Sequence, residues 1–188
     1  MEKPLNFVFI GRSGCGKDTQ AELLKNKFPY LVAISTGDMM RDLAKQNSDS
    51  GKRIKTILDE GGLPFDDIAI TLWMHKIAYS IREDQGILAD GFPRRLNEAK
   101  ALDEFLKWLE RNGNTKYLHI DISREEAFKR LELRGRADDT DKQINKRLDY
   151  FEERVMQAIN YYQDQGVLIK INGEQSREAI HEEIMSKI

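Results

Sequence analysis

The sequence is poor in cysteine, in long apolar runs and in excess charge of either sign. Cys15 is the single cysteine among 188 residues, which excludes an intramolecular disulfide and any zinc site built from paired cysteines. The 30 basic residues balance 32 acidic ones for a net charge of -2, which disfavours nucleic acid as the main partner. No apolar stretch reaches the roughly 20 residues that a membrane-spanning helix needs. A strand pattern begins soon after Met1, so we expect no cleavable signal and a cytoplasmic protein.

Short apolar runs alternate with amphipathic segments along the chain. This alternation predicts an α/β fold with a parallel sheet covered on both faces, and 188 residues fit a single domain. Between residues 38 and 79, helical patterns follow one another without a strand, so we expect a small helical subdomain in this region. The expected strands are 7–10, 31–34, 87–89, 117–122 and 167–171.

Local signals mark the beginnings of two helices. Ser123 with Glu126, and Thr140 with Gln143, have the spacing of capping boxes, in which each side chain bonds the other residue's backbone N–H group. Apolar residues at helical spacing predict the buried faces, and we expect both tryptophans on such faces in the core.

The segment 7–20 combines a buried strand pattern, a glycine-rich turn and the start of a helix. Within it, Gly11 to Lys17 has the G-x-x-x-x-G-K spacing of a phosphate-binding loop. Its glycines let backbone N–H groups approach an anion without obstruction by Cβ atoms. The positive end of the following helix and the Lys17 ammonium add to the attraction. The motif therefore predicts binding of nucleotide phosphates.

Further features leave the carboxyl ends of the predicted strands or follow them closely. In an open parallel sheet these ends share one rim, where ligands bind. The features are the segments 34–41 and 89–94, the arginines Arg130, Arg134, Arg136 and Arg147, and the turn Asn172-Gly173.

This collection has the composition of a phosphoryl-transfer site. Such a reaction needs positioning and neutralisation of a polyanion more than covalent help. Asp38 and Asp90 are candidates for holding Mg²⁺ through water, and no His, Ser or Cys arrangement indicates a covalent nucleophile. The cations available for the phosphates are Lys17, Arg41, Arg94, Arg130, Arg134, Arg136 and Arg147.

The segments GRSGCGKDTQ, ISTGDMMR, DGFPR and RGRADD…KRL resemble, in order and spacing, the adenylate kinase branch of the nucleoside monophosphate kinases. The resemblance covers essentially the whole chain. It implies a phosphate-loop fold with a five-stranded parallel sheet, a helical monophosphate-binding insertion at 36–65 and a nearly deleted lid at 134–139. The implied reaction is MgATP + AMP ⇌ 2 ADP, and we expect the chain to act as a monomer.

The same resemblance assigns roles to individual residues. Those implied to be catalytic are Lys17, Arg94, Arg134, Arg136 and Arg147. Those implied to bind ATP are Gly11, Ser13, Gly14, Cys15, Gly16, Lys17, Asp18, Thr19, Arg130, Arg134 and Gly173. Those implied to bind AMP are Thr36, Gly37, Arg41, Leu63, Gly91, Phe92, Arg94, Glu98, Arg136 and Arg147.

Two side chains depart from the family pattern. Asp18 stands where the family usually has glycine; it either helps to hold Mg²⁺ or, as we favour, caps the helix N-terminus. Glu98 stands where adenylate kinases usually have a glutamine that reads the base. An ionised carboxylate only accepts hydrogen bonds, so it suits the N6 amine of adenine but not its N1 lone pair, whereas guanine offers two donors. AMP is the expected acceptor, with GMP, CMP and UMP open. The alternative for Glu98 is that it is a solvated helix residue and that Asn97 or a water reads the base.

The lid is reduced to Gly135 between Arg134 and Arg136. Because lids exclude water during transfer, we expect either more futile ATP hydrolysis than usual or closure by the 36–65 subdomain and the neighbouring helix ends. The alternative class is a catalytically decayed nucleotide sensor of the same fold. The complete set of arginines favours the enzyme, since a sensor has no need of a transition-state clamp.

Overall fold

The computed structural model describes residues 3–62, 64–136 and 139–188. Within these residues, five parallel strands form one sheet in the order β2-β3-β1-β4-β5. The strands are β1 (Asn6–Ile10), β2 (Leu31–Ser35), β3 (Gly86–Asp90), β4 (Thr115–Asp121) and β5 (Leu168–Asn172). The predicted fold class and strands are confirmed, with ends that shift by one or two residues.

Helices connect the strands and cover the sheet. They are α1 (Lys17–Lys27), α2 (Thr36–Ala44), α3 (Asp49–Asp59), α4 (Asp66–Ser80), α5 (Leu96–Trp108), α6 (Arg124–Arg134), α7 (Asp141–Tyr150), α8 (Met156–Asp164) and α9 (Arg177–Lys187). A π-helical turn, Phe151–Val155, separates α7 from α8. Among the helices described, none is both long enough and apolar enough to cross a bilayer.

The central strand β1 is buried along its whole length. Phe7 and Phe9 belong to one apolar cluster, and Val8 and Ile10 belong to a second one, because alternate side chains of a strand point to opposite faces. Full burial of such a side chain contributes about 1.5–3 kcal/mol. Core packing on both faces therefore fixes the position of the loop that leaves β1 at its carboxyl end.

The helices that follow β2 have an apolar cluster of their own. Met40 on α2, Ile54 on α3 and Ala69 on α4 are its buried members, and none of its described members lies on a strand. The segment after β2 is thus helical, as its sequence pattern predicted, and it has a small apolar cluster; the division into a subdomain with the boundaries 36–65 stays a prediction.

The two tryptophans have different surroundings. Trp73 is fully buried and stacks on Phe92, with ring centroids 5.2 Å apart, so the prediction of a core position is confirmed for it. Trp108 is 74% exposed and stacks on Phe105, so the same prediction is wrong there. Trp108 lies two residues beyond the buried Leu106, on the opposite side of α5.

The capping box predicted at α6 is only half formed. The hydroxyl of Ser123 accepts the N–H of Glu126 at 3.3 Å, as a cap does. The Glu126 carboxylate instead pairs with Arg130 at 2.7 Å, and the Ser123 N–H donates to Glu174 at 2.7 Å. Arg130 thus binds the Glu126 carboxylate that the box would use, and Glu174 accepts the Ser123 N–H in place of Glu126.

Candidate active site

The phosphate loop connects the end of β1 to the beginning of α1, next to the point where the strand order changes direction. Gly16 is the N-cap of α1, with a φ of 99° that glycine adopts without steric cost. The Lys17 ammonium donates to the carbonyls of Gly11 and Arg12, both at 3.0 Å. The ammonium of Lys17, which was predicted to bind phosphates, therefore lies against the loop itself. Cys15 is buried behind the loop, which leaves its backbone for the predicted ATP contact.

Asp18 lies in the first turn of α1 and pairs with an arginine of the shortened lid. Its carboxylate is 3.5 Å from Nη2 of Arg136, and the two side chains are 70% and 47% exposed. At the N-terminus of α1 the structure shows no side-chain capping hydrogen bond, so Asp18 acts there through its charge. The pair brings Arg136 beside the phosphate loop.

The loops that follow β2 and β3 meet at the carbonyl of Gly91. The hydroxyl of Thr36 donates to this oxygen at 2.6 Å, and Nε of Arg94 donates to it at 2.7 Å. Both residues were predicted to bind the monophosphate, and they lie side by side although they follow different strands. The ring of Phe92 is buried in the core, so only its backbone is left for the predicted AMP contact.

Glu98 is buried on α5, with 5% of its surface exposed. Its carboxylate accepts the backbone N–H of Arg94 at 3.0 Å. The alternative of a solvated helix residue is therefore wrong. The carboxylate lies at the segment that carries the predicted monophosphate ligands, and its role in reading the base stays a prediction.

The carboxylate of Asp139 binds three arginines around the shortened lid. Its carboxylate accepts two hydrogen bonds from Arg134 at 2.8 Å and one from Arg147 at 2.5 Å. It also accepts the N–H of Arg136 at 3.2 Å. Burial alone would raise the pKa of Asp139, but the hydrogen bonds from Arg134 and Arg147 outweigh it and lower the pKa to about 2. One carboxylate thus orients the predicted clamp.

Arg130 and Gly173, both predicted to bind ATP, also come together. Nη2 of Arg130 donates to the Gly173 carbonyl at 3.0 Å, which joins α6 to the turn after β5. The predicted AMP residue Leu63 and the lid residue Asp138 lie outside the described residues.

Asp90 lies half-buried at the end of β3. Burial raises the pKa of Asp90, the charge of Lys17 lowers it, and the charges of Asp18 and Asp38 raise it. Asp90 therefore interacts electrostatically with the lysine of the phosphate loop and with two other carboxylates, those of Asp18 and Asp38.

Asp38 and Arg41 form a pair at 2.5 Å within α2. The hydrogen bond from Arg41 lowers the pKa of Asp38, and the charge of Arg136 lowers it further. Arg136 therefore pairs with Asp18 of α1 and also interacts electrostatically with Asp38 of the helical insertion.

Arg12 is a residue that sequence reasoning did not single out. Its guanidinium donates to the carbonyl of Ile122 at 2.7 Å, pairs with Glu152 and lies over the ring of Phe151. It ties the phosphate loop to the end of β4 and to the π-helical turn. The sequence feature that could have indicated this role is a long cationic side chain within a loop of small residues.

A phosphate loop at the switch point of a parallel sheet, facing arginines oriented by carboxylates, defines a nucleotide phosphotransferase. A sequence model of the family described as adenylate kinase matches residues 9–167. The chain belongs to the adenylate kinase family, and it is a nucleoside monophosphate kinase, which confirms the resemblance.

Individual relatives match nearly end to end. The chain is 32% identical to an adenylate kinase of Prochlorococcus marinus (strain AS9601), over 97% of this chain and 98% of that protein. It is 36% identical to an adenylate kinase of Hyphomonas neptunium, over 96% of each chain. It is 34% identical to an adenylate kinase of Phocaeicola vulgatus, over 98% of each chain.

Proposed function

We propose that the chain transfers a phosphoryl group reversibly from MgATP to AMP, giving two molecules of ADP. The observation that carries the proposal is the position of Arg136. The backbone N–H of Arg136 donates to the carboxylate of Asp139, which also binds Arg134 and Arg147. The side chain of Arg136 reaches Asp18 beside the phosphate loop. Cations from the remnant of the lid therefore face the loop that would hold the donor phosphates.

In this mechanism the chain supplies position and charge. Lys17 and the loop N–H groups bind the donor phosphates, because both present positive charge at one place. Arg134, Arg136 and Arg147 stabilise the charge that spreads over the transferring group. Since the arginines are already oriented by carboxylates, little reorganisation is needed when phosphate oxygens replace these partners. No covalent intermediate is needed.

On the acceptor side, Thr36, Arg41 and Arg94 bind the monophosphate. Thr36 and Arg94 share the Gly91 carbonyl, so the two side chains present a hydroxyl and a guanidinium to one small volume. Glu98, buried next to Arg94, contacts the base. Arginine suits this task because its planar fork binds phosphate oxygens in pairs.

Mg²⁺ is the proposed cofactor. Among the described residues, no group of three or more His, Cys, Asp or Glu side chains could hold a metal ion directly. The carboxylates of Asp38 and Asp90 fit an ion that keeps most of its waters, and they would hold it through water. Bound Mg²⁺ supplies positive charge to the ATP phosphates.

Initial rates with ATP and each of AMP, GMP, CMP and UMP, measured by formation of ADP, test the proposal. We expect AMP to give the highest kcat/KM, and a clear preference for GMP would overturn the assignment of the acceptor. A Lys17→Met variant prepared in the same way should be inactive, which excludes a contaminating kinase. Tight ATP binding without ADP formation from any monophosphate would select the sensor.

We further propose that the enzyme works as a monomer in the cytoplasm. A single buried cysteine is in keeping with a reducing compartment. Light scattering after gel filtration measures the molar mass, which should be the 21.8 kDa of one chain.

A further inference from the structure

The end of α3 contacts the first turn of α7. The side-chain amide nitrogen of Gln143 donates to the main-chain carbonyl of Asp59 at 2.6 Å. Asp59 is the last residue of α3, in the helical insertion after β2, and Gln143 lies just beyond the shortened lid. This hydrogen bond therefore joins the helical insertion to the helix that follows the lid.

The other end of the same amide is fixed by the helix that carries it. The N–H and hydroxyl of Thr140 both donate to the amide oxygen of Gln143, at 3.3 and 2.7 Å, and the Thr140 hydroxyl accepts the Gln143 N–H at 3.4 Å. The capping box predicted from the sequence is thus confirmed at α7. Because the box engages the oxygen, the amide nitrogen is left to point at α3.

The two backbones pack closely beside this hydrogen bond. Gly61, with a φ of 68°, follows α3 so near to α7 that a Cβ placed on it would lie 3.2 Å from Cα and Cβ of Gln143. A surface cavity lies between the two elements, and its two sides differ in charge. Asp59 and Glu60 line it from the end of α3, and Lys142 and Lys146 line it from α7. Shape and charge both favour contact between the insertion and α7.

We infer that Gln143 is a positioning residue that holds the helical insertion against α7 during catalysis. The inference rests on the proposed function. The insertion carries Thr36 and Arg41 for the acceptor, and α7 carries Arg147 for the transferring group. With the lid reduced to Gly135, the amide of Gln143 supplies the closure that a longer lid would provide. It acts on the acceptor side through the insertion and does not itself touch either nucleotide.

Gln143→Glu tests this inference, because glutamate also forms capping boxes but lacks the amide donor. We expect the KM for AMP to rise roughly three- to tenfold, the effect of one hydrogen bond, while the KM for ATP stays within twofold. Thr140→Ala is the matched control, since it removes the capping hydroxyl, while the backbone N–H of residue 140 still engages the amide oxygen and the amide donor is kept. It should lower the melting temperature and leave both KM values within twofold.

A distance measurement keeps the test independent of activity. Spin labels at Lys52→Cys on α3 and Lys107→Cys on α5 report the position of the insertion relative to the core, since both sites are exposed. We expect one narrow distance distribution with AMP and ATP bound, and a broader, longer one in Gln143→Glu. Gly61→Asn, which tolerates the backbone angle but adds a Cβ toward Gln143, should give the same change.

An unchanged KM for AMP and an unchanged distance distribution in Gln143→Glu would overturn the inference. If the parent protein forms no ADP from any monophosphate, the proposed function fails instead. In that case the distance distributions still report whether Gln143 holds the insertion.

Discussion

The guanidinium of Arg12 lies 4.2 Å from the centroid of the Phe151 ring. Arg12 belongs to the phosphate loop, and Phe151 begins the π-helical turn that follows α7. Such turns are frequent at functional sites, where they displace the register of a helix. Here the turn presents the ring of Phe151 and the carboxylate of Glu152 to Arg12, so a stacked pair and an ion pair join the phosphate loop to the turn that follows α7.

The first prediction concerns this pair. We expect Arg12→Ala to lower the free energy of unfolding by about 1–2 kcal/mol, since it removes a cation–π contact and an ion pair. The KM for ATP should rise more than the KM for AMP, because the loop binds the donor. Arg12→Lys keeps the charge without the planar fork and should give intermediate values. Denaturant titration and initial rates measure both effects, and equal changes in the two KM values would contradict the link to the donor side.

The partners of Arg12 illustrate what the sequence could not disclose. Apolar runs mark the strands, and the motifs name the loops at the rim, because both are local patterns. The contact between Arg12 and Ile122 joins residues 110 positions apart, and no local pattern predicts it. The motifs name Arg134 and Arg147 separately, and the fold shows that one carboxylate, that of Asp139, accepts hydrogen bonds from both. Burial also depends on tertiary packing, so the apolar pattern of α5 wrongly predicted that Trp108 is buried.

Asp139 leads to a pH prediction. Its pKa is lowered in the folded state from 3.8 to about 2, so its charge stabilises the fold above about pH 4, and that stabilisation is lost as the pH falls toward 2. The shift corresponds to about 2 kcal/mol. Asp139→Asn should therefore lower the free energy of unfolding at pH 7 by at least this amount, and the difference from the parent should shrink by about 2 kcal/mol as the pH falls toward 2.

Urea denaturation at a series of pH values checks this expectation. Asp164→Asn, an exposed carboxylate at the end of α8, is the matched control and should change stability little at any pH. A stability difference for Asp139→Asn that does not vary with pH would show that the carboxylate does not depend on its arginine partners.

The third prediction concerns the base. Glu98→Gln keeps an oxygen for the Arg94 N–H and adds a donor for adenine N1. We expect the KM for AMP to fall about fivefold and turnover with GMP to decrease, since one hydrogen bond contributes about 1 kcal/mol. Glu98→Ala leaves the buried N–H without that acceptor and should destabilise the fold by about 1–3 kcal/mol. Higher GMP turnover in Glu98→Gln would contradict the assigned role.

The fourth prediction is that Asp18 is nearly neutral. Its pair with Arg136 is exposed and 3.5 Å long, and exposed pairs contribute less than about 1 kcal/mol. Asp18→Gly should therefore leave kcat and the apparent affinity for Mg²⁺ nearly unchanged, with Asp18→Asn as the isosteric comparison. A tenfold shift in apparent Mg²⁺ affinity would show instead that Asp18 takes part in holding the ion.

The last prediction follows from a lid of one residue. With only Gly135 between Arg134 and Arg136, water has access to the donor phosphates until the helical insertion closes. We expect measurable phosphate release from ATP alone, absent in Lys17→Met, and we expect the insertion to move when AMP is added. Phosphate release and the distance between labels on α3 and α5 measure the two effects. Negligible phosphate release together with an immobile insertion would contradict both expectations, and it would mean that the site excludes water without any movement of the insertion.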